Sequence, residues 1–316
     1  MRIIHLLSNC KWTERSEPVT DLVLEQQRLG HEASLICGTW MAPPAPDNPE
    51  YCAEDHIRAK GLNPIALYMN KHFHWLNTWS DVRRLRSILN ERKPDILHAH
   101  LMNAHLLGAL ALSMQSRRIP LIRSSYEPDG PERTLRSKVL LHSSTDGLIV
   151  LNSHARDLVH NYSAGHTTHI ATIEPGIDLE RFSPAAQQNR AREFFDINPA
   201  HFVVGMVSRI RHDRRFDLVL HALRRIADAY TDIRLLVVGG GEHEQEFKNM
   251  IHELSLEDLV IHAGYCNGEQ LVDAYRAMDV LCYPVPGTDK SARTVREAIA
   301  TGTPVVAGTV GFLPEL

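Results

Sequence analysis

The chain has 316 residues, a formal net charge of −4, 43% hydrophobic residues and 23% charged ones. Lys and Arg (34) do not outnumber Asp and Glu (38), so nothing in the balance demands nucleic acid. No apolar run approaches the ~20 residues that span a bilayer, and the length predicts two domains.

The five cysteines, Cys10, Cys37, Cys52, Cys266 and Cys282, form no CxxC pair and are odd in number. That predicts a reduced, cytoplasmic protein. The 19 histidines are scattered, with no H-E-x-x-H or Cys/His ligand spacing, so no metal is implied. Met1-Arg2 leads straight into an apolar strand without a signal peptide. The expectation is a soluble protein, or one that lies at most on a membrane surface.

Arg2–Leu7 reads as a strand, Pro18–Leu29 as a helix ended by Gly30, and Glu32–Cys37 as the next strand. This β-α-β unit opens a parallel sheet. The loop after the first strand contains no glycine. Lys11 or Arg15 either faces a ligand there, at a strand's carboxyl end, or belongs to a plain connection. Thr39–Asp55 is too rich in proline to be one helix or strand. Met69–Trp79 is aromatic-rich, with His72, Phe73, His74, Trp75 and Trp79. Asp81–Lys93 is a basic amphipathic helix. It reads either as a face toward a membrane or an acceptor, or as a solvated helix packed on a sheet through Leu85, Ile88 and Leu89. The packed reading is preferred. Pro94–His100 is a strand ending in His98 and His100, and Pro120–Ser125 a strand leading into Tyr126 and Glu127. Alternation continues to Ile170–Ile173.

A domain covering 1–178, a linker over 179–199 and a second domain over 200–316 follow from the polar run Ala185–Arg192. His201–Ser208 restarts a strand and delivers Arg209, with Arg214 five residues on. Ile233–Val238 runs into Gly239, Gly240 and Gly241, which is not a G-x-G-x-x-G fingerprint. Val260–Tyr265 holds Gly264 at its end. The final stretch reads as strand, loop, helix, strand. Leu281–Tyr283 enters a loop with Asp289, and Ala292–Ala300 is a helix stopped by Gly302 and Pro304. Arg293 and Glu297 stand at i and i+4 on one helix face, where a plain salt bridge is one reading.

That last stretch, Asp289-KSARTVR-Glu297-AIATGTPVVAGTVGFLPEL, resembles the nucleotide-sugar site of the family 4 glycosyltransferases. These are retaining enzymes of the GT-B fold whose motif is Glu, seven residues, Glu. Pro94–His100 is similar to the PDVVHAH strand of the same family, and Glu174–Pro184 to its PNGVDLERFRP segment. Arg209 and Arg214 fall on the Arg and Lys of its GRL-x-x-x-Lys-Gly pattern. The resemblance implies two Rossmann-like doubly wound domains facing a central cleft, α/β throughout. It implies that Glu297 binds the ribose diol, that Asp289 contacts the sugar, and that Arg293 and Thr294 also bind the donor. Arg209 and Arg214 would neutralise its diphosphate. Gly239, Gly240 and Gly264 would lie in the nucleotide-side loops, and His98, His100 and Glu127 on the acceptor side. Tyr126 stands where the family commonly has a His that reaches the donor sugar. Further departures are Asp289 for Glu, Arg215 for Gly, and the glycine-free first loop.

The implied activity is transfer of a sugar from a nucleoside-diphosphate sugar to a glycan, lipid or small-molecule acceptor with retention. It would need neither cofactor nor metal and would suit glycan or lipopolysaccharide assembly at the inner membrane surface. A non-catalytic scaffold that binds nucleotide or a glycan-assembly partner is the alternative that the departures motivate. A sugar-nucleotide epimerase of the same architecture is another. In the family, further strands and helices follow the Pro-Glu-Leu, so the chain is expected to be C-terminally truncated.

Overall fold

The computed structural model describes residues 1–12, 15–39, 52–69, 75–127, 129–162, 169–174, 176–184, 188–287, 289–310 and 313–316. It divides into two compact units, Met1–Gly176 and Ile177–Leu316, each built on one parallel sheet.

The first unit runs β1 (Arg2–Leu7), α1 (Ser16–Arg28), β2 (Glu32–Gly38), α2 (Ala53–Ala59), β3 (Ile65–Leu67), α3 (Trp75–Arg92), β4 (Ile96–Ala99), α4 (Met102–Ser113), β5 (Leu121–Ser124), α5 (Leu135–Ser144), β6 (Gly147–Val150), α6 (Ser153–Tyr162) and β7 (His169–Thr172). The strand order is β3-β2-β1-β4-β5-β6-β7. Its strands are short apolar runs because helices cover both faces of a parallel sheet. Ile4 and Leu6 pack with Leu85 and Leu89 of α3 and Leu107 of α4. Ile3 and Leu7, pointing the other way along the pleat, pack under Val19 and Val23 of α1. The order reverses between β1 and β4, the switch point where an open α/β sheet offers a crevice at its strands' carboxyl ends.

The basic helix packs on the sheet as preferred: Val82, Leu85 and Leu89 of α3 are buried, and Arg83, Arg84 and Arg92 are exposed. It starts earlier than the sequence suggests, at Trp75. Asp81 lies inside it, buried, and accepts the backbone N–H groups of Tyr68 (3.2 Å) and Met69 (2.9 Å). Its carboxylate ties down the chain leaving β3. Most of the proline-rich stretch, together with His72, Phe73 and His74, lies outside the described residues.

The second unit runs α7 (Gln188–Phe194), β8 (Phe202–Val207), α8 (Phe216–Ala227), β9 (Ile233–Val238), α9 (Glu244–Glu253), β10 (Val260–Gly264), α10 (Gly268–Ala277), β11 (Val280–Tyr283), α11 (Asp289–Ala300) and β12 (Val305–Ala307). Its strand order is β10-β9-β8-β11-β12, with the switch point between β8 and β11.

The expected linker over 179–199 is corrected here. Phe182, Ala191 and Ile197 are buried in the second unit's core with Tyr275. Arg192 of α7 is buried and bonds Asp279 Oδ2 (2.6 Å), the Ala277 carbonyl (3.1 Å) and the Pro199 carbonyl (2.8 Å). The run looks polar in sequence, but its arginine is paired inside the fold, and a paired buried charge reads as solvated when counted alone.

Candidate functional site

In the second unit the candidate groups cluster at the carboxyl ends of β8, β9 and β11. Arg209 follows β8 and is exposed. A single 3-10 turn, His212–Arg214, comes next. Arg214 is mostly covered, and its Nε has no hydrogen-bond partner among the described residues; Asp213 Oδ1 lies 4.0 Å away. A covered guanidinium with an unused donor suits an anion. Arg215, which stands for the expected glycine, adopts the left-handed conformation (φ 55°, ψ 37°) that a glycine would take. The loop therefore keeps its shape, at a conformational cost.

The glycine cluster after β9 is spent on packing. Gly239 has φ +133°, and a Cβ there would lie 2.0 Å from the Ser208 carbonyl oxygen. Its N–H donates to the Gly264 carbonyl (2.7 Å), and its own carbonyl lies 2.8 Å from His262 Nε2. The Gly240 carbonyl accepts from Ile210 N–H (3.1 Å). The expected approach of backbone amides to a ligand is thus replaced, at Gly239, by contacts within the unit. Two loops and a strand end are too close there for any side chain.

Asp289 opens α11; its side chain lies outside the described residues. One helical repeat separates Arg293 from Glu297, and their ion pair forms, Arg293 Nε to Glu297 Oε1 at 2.7 Å. Glu297 is 4% exposed, and its second oxygen accepts the Tyr275 hydroxyl at 2.8 Å. Burial and the Glu297 carboxylate push the Tyr275 phenol well above its usual range, with Thr294 partly opposing. Tyr275 is the residue that sequence reading missed. It sits on α10, and only the packing of α10 against α11 brings its hydroxyl to the carboxylate. A Glu clamped on both sides is positioned rather than mobile, and each oxygen retains a lone pair for a ligand hydroxyl.

In the first unit, His98 and His100 are expected on the acceptor side. Both are buried, with His5 beside them. His5 on β1 pairs in register with His98 on β4, and His100 follows two residues on, so the three side chains share the face under α1. Burial holds all three imidazoles neutral: His5 falls to about 4, and His98 and His100 well below the usual range. They are linked in a chain. Gln26 Oε1 lies 2.7 Å from His5 Nε2, His5 Nδ1 lies 2.9 Å from His100 Nε2, and His100 Nδ1 lies 2.7 Å from the Tyr126 hydroxyl. A neutral imidazole carries one proton. With the Gln26 carbonyl oxygen facing His5, His5 donates from Nε2 and His100 donates from Nε2. Tyr126 then donates its proton inward to His100. His98 bonds Ser124 Oγ at 2.8 Å.

One ring nitrogen from each of the three histidines lies within 4.8 Å of the other two. A cation there would have to displace the proton shared by His5 and His100, so the geometry is that of a hydrogen-bond chain. Glu127 pairs with Arg15 at 2.8 Å, tying the loop after β5 to the one after β1. Arg15, one of the two cations weighed in that first loop, is thus joined to a residue expected on the acceptor side.

Comparisons with known proteins bear on both units. The model of "Glycosyltransferase Family 4" matches residues 19–181, and that of "Glycosyl transferases group 1" matches 187–316. A D-inositol 3-phosphate glycosyltransferase of Mycobacterium sp. (strain JLS) is 32% identical over 240 residues, 70% of this chain and 52% of that protein. Its counterpart from Streptomyces bingchenggensis is 29% identical over 244 residues, with the same shares covered. The chain spans about half the length of the curated relatives it matches. Among solved structures, Anabaena HepE in complex with UDP superposes with a TM-score of 0.77 at 19% identity, covering 100% of this chain and 82% of that one. A Rickettsia africae glycosyltransferase superposes with a TM-score of 0.78 at 16% identity, covering 99% and 81%. Two parallel sheets with these likenesses define the GT-B fold.

Proposed function

Because the chain belongs to glycosyltransferase family 4, we propose that it transfers a sugar from a nucleoside-diphosphate sugar to an acceptor hydroxyl, with retention at the sugar carbon. The observation that carries this is the carboxyl edge of the second sheet, where Glu297 is clamped by Arg293 and Tyr275 and Arg214 keeps an unused, covered Nε. In the reaction, the bond from the anomeric carbon to the diphosphate oxygen breaks and one to the acceptor oxygen forms. The acceptor proton passes to the departing phosphate oxygen, and no metal or cofactor takes part. Arg209 and Arg214 stabilise the charge that develops on the leaving diphosphate. Glu297 accepts the ribose hydroxyls, Thr294 lies beside it on α11, and Asp289 contacts the sugar.

UDP-sugars are the first donors to test, since HepE was solved with UDP. An inositol phosphate is the first acceptor, after the names of the curated relatives. Glycan and lipid acceptors follow. The exposed arginines of α3 suit peripheral contact with an anionic membrane surface; among the described residues no helix is long and apolar enough to cross one.

The test is a donor panel with inositol 3-phosphate, read by UDP release and by the anomeric coupling of the product. Transfer with an inverted anomer overturns retention. Nucleotide binding without turnover on any acceptor favours the scaffold reading, which the glycine-free loop after β1 motivates. Interconversion of the donor sugar without UDP release favours an epimerase.

A further inference from the structure

Two loops at the carboxyl edge of the second sheet are locked together through their backbones. Ser208 N–H donates to the Val238 carbonyl (3.0 Å) and Ile210 N–H to that of Gly240 (3.1 Å). A Cβ on Gly241 would lie 2.4 Å from the Ile210 carbonyl oxygen, so no side chain can separate the loops. This holds the turn His212–Arg214 against the first turn of α9. There His212 meets His243 and Glu246, which stand three residues apart at the start of α9. His212 Nε2 and His243 Nδ1 each lie 3.2 Å from the same oxygen, Glu246 Oε2. The two imidazole centroids are 3.8 Å apart, and the donor atoms of the three residues lie within 4.8 Å of one another.

We propose that His212, His243 and Glu246 form a binding site for a first-row transition cation of the Zn2+ class. Tetrahedral coordination with bonds of about 2.0–2.1 Å sets neighbouring donor atoms about 3.3 Å apart. Two of the three donor separations, at 3.2 Å, match that edge length, and the third lies within 4.8 Å. Two imidazoles and one carboxylate favour Zn2+, Co2+ or Ni2+ over Mg2+ and Ca2+, which take oxygen ligands. Glu246 has only these two histidines as polar partners among the described residues. The neighbouring carboxylates are otherwise engaged: Arg211 lies 3.4 Å from Asp213 and 3.6 Å from Glu242. Glu242 Oε1 lies 3.9 Å from His243 Nε2, the ring nitrogen that faces away from Glu246, beyond hydrogen-bond distance. His212 and Glu246 are exposed, leaving the remaining coordination positions to water. A bound ion ties the loop carrying Arg209 and Arg214 to the start of α9. It stands beside the proposed donor loops and takes no part in the transfer step, and the site does not depend on the proposed activity.

The test uses the full chain after chelator treatment, titrated with Co2+ by visible absorption and with Zn2+ by calorimetry. One equivalent is expected, with a Co2+ band that lacks the thiolate charge-transfer feature a cysteine ligand adds. His212→Ala and Glu246→Gln are each expected to weaken Zn2+ by about tenfold or more. His252→Ala, at an exposed histidine paired instead with Glu257, is expected to leave affinity unchanged. Far-UV circular dichroism checks the fold, and His243→Gln serves if either variant is misfolded. Absence of saturable binding at micromolar ion, equal affinity in the cluster variants, or a thiolate band overturns the proposal.

Discussion

At the carboxyl edge of the first sheet, the polar side chains face one another. Gln26, His5, His100 and Tyr126 form one continuous chain, His98 bonds Ser124, and Glu127 is paired with Arg15. At the same edge of the second sheet, Arg209 is exposed, Arg214 has an unused donor, and His212, His243 and Glu246 converge on one another near solvent. The two units share parallel strands and one switch point each, yet they use that position in opposite ways. A buried polar group costs free energy unless it is satisfied, and the imidazole chain of the first edge is neutral and paired, although Arg15 Nε and Ser125 Oγ beside it have no hydrogen-bond partner among the described residues. Charges near solvent can wait for a ligand, so the second edge holds the candidate donor site. Where polar groups stand relative to water, more than which groups they are, separates a structural network from a binding one.

The sharpest way to break this comparison is acidification. His5, His98, His100 and His105 are all depressed by burial, His5 to about 4 and His105 to about 3. Below pH 6.5 the unfolded chain takes up protons that the folded imidazoles refuse. Stability is therefore full above pH 6.5 and falls as pH drops toward 4, by about 1.4 kcal/mol per histidine per pH unit at most. Urea midpoints at pH 7.5 and 5.5 measure this. If the network were solvated the two would agree, and His105→Gln should make the slope shallower.

Glu297→Ala comes next. It removes the clamped carboxylate and leaves the buried Tyr275 hydroxyl without its acceptor. UDP release is expected to fall about 100-fold, the scale of losing one well-placed polar group in a site. Unchanged turnover would reduce Glu297 to a partner for Arg293.

Arg214→Ala tests whether the unused guanidinium donor meets an anion. Calorimetry should show UDP bound about tenfold more weakly, in keeping with one charge-assisted hydrogen bond. An equal affinity would move the diphosphate elsewhere.

The smallest effect is at Arg215, which holds a left-handed conformation at φ 55°. Arg215→Gly is expected to raise stability by about 1 kcal/mol, read as a higher melting temperature. A loss of stability would show that its contact with Asp217 (3.2 Å) matters more than the backbone.

Much of the second unit was legible in sequence because its signals are local. Strand, loop and helix alternate with clear stops, and Arg293 and Glu297 fall within one helix, so their ion pair was foreseeable from an i, i+4 interval, although that helix begins earlier than expected, at Asp289. The role of Glu297's other oxygen was not, since Tyr275 lies on a different helix. Gly239 was legible as a residue that something approaches closely; what approaches is the Ser208 carbonyl. For His98 and His100 at their strand end, the sequence leaves a packed pair and a place on the acceptor side both open. Their i, i+2 spacing did place them on one face, but which face α1 covers depends on β1 lying beside β4.

From its sequence alone this chain is a two-unit parallel α/β protein of a recognisable family, with Arg209 and Arg214 in the loop after a strand and Glu297 on a helix that follows another. Periodicity, stop signals and motif spacing act over a few residues, and a linear reading captures them. The tertiary structure alone decided that Arg192 is a buried pairing partner, that three histidines form a neutral chain ending at Tyr126, and that His212 meets His243 and Glu246. Those outcomes depend on strand order and register, which bring distant residues together. Burial then sets their charge, and that follows from neighbours in space.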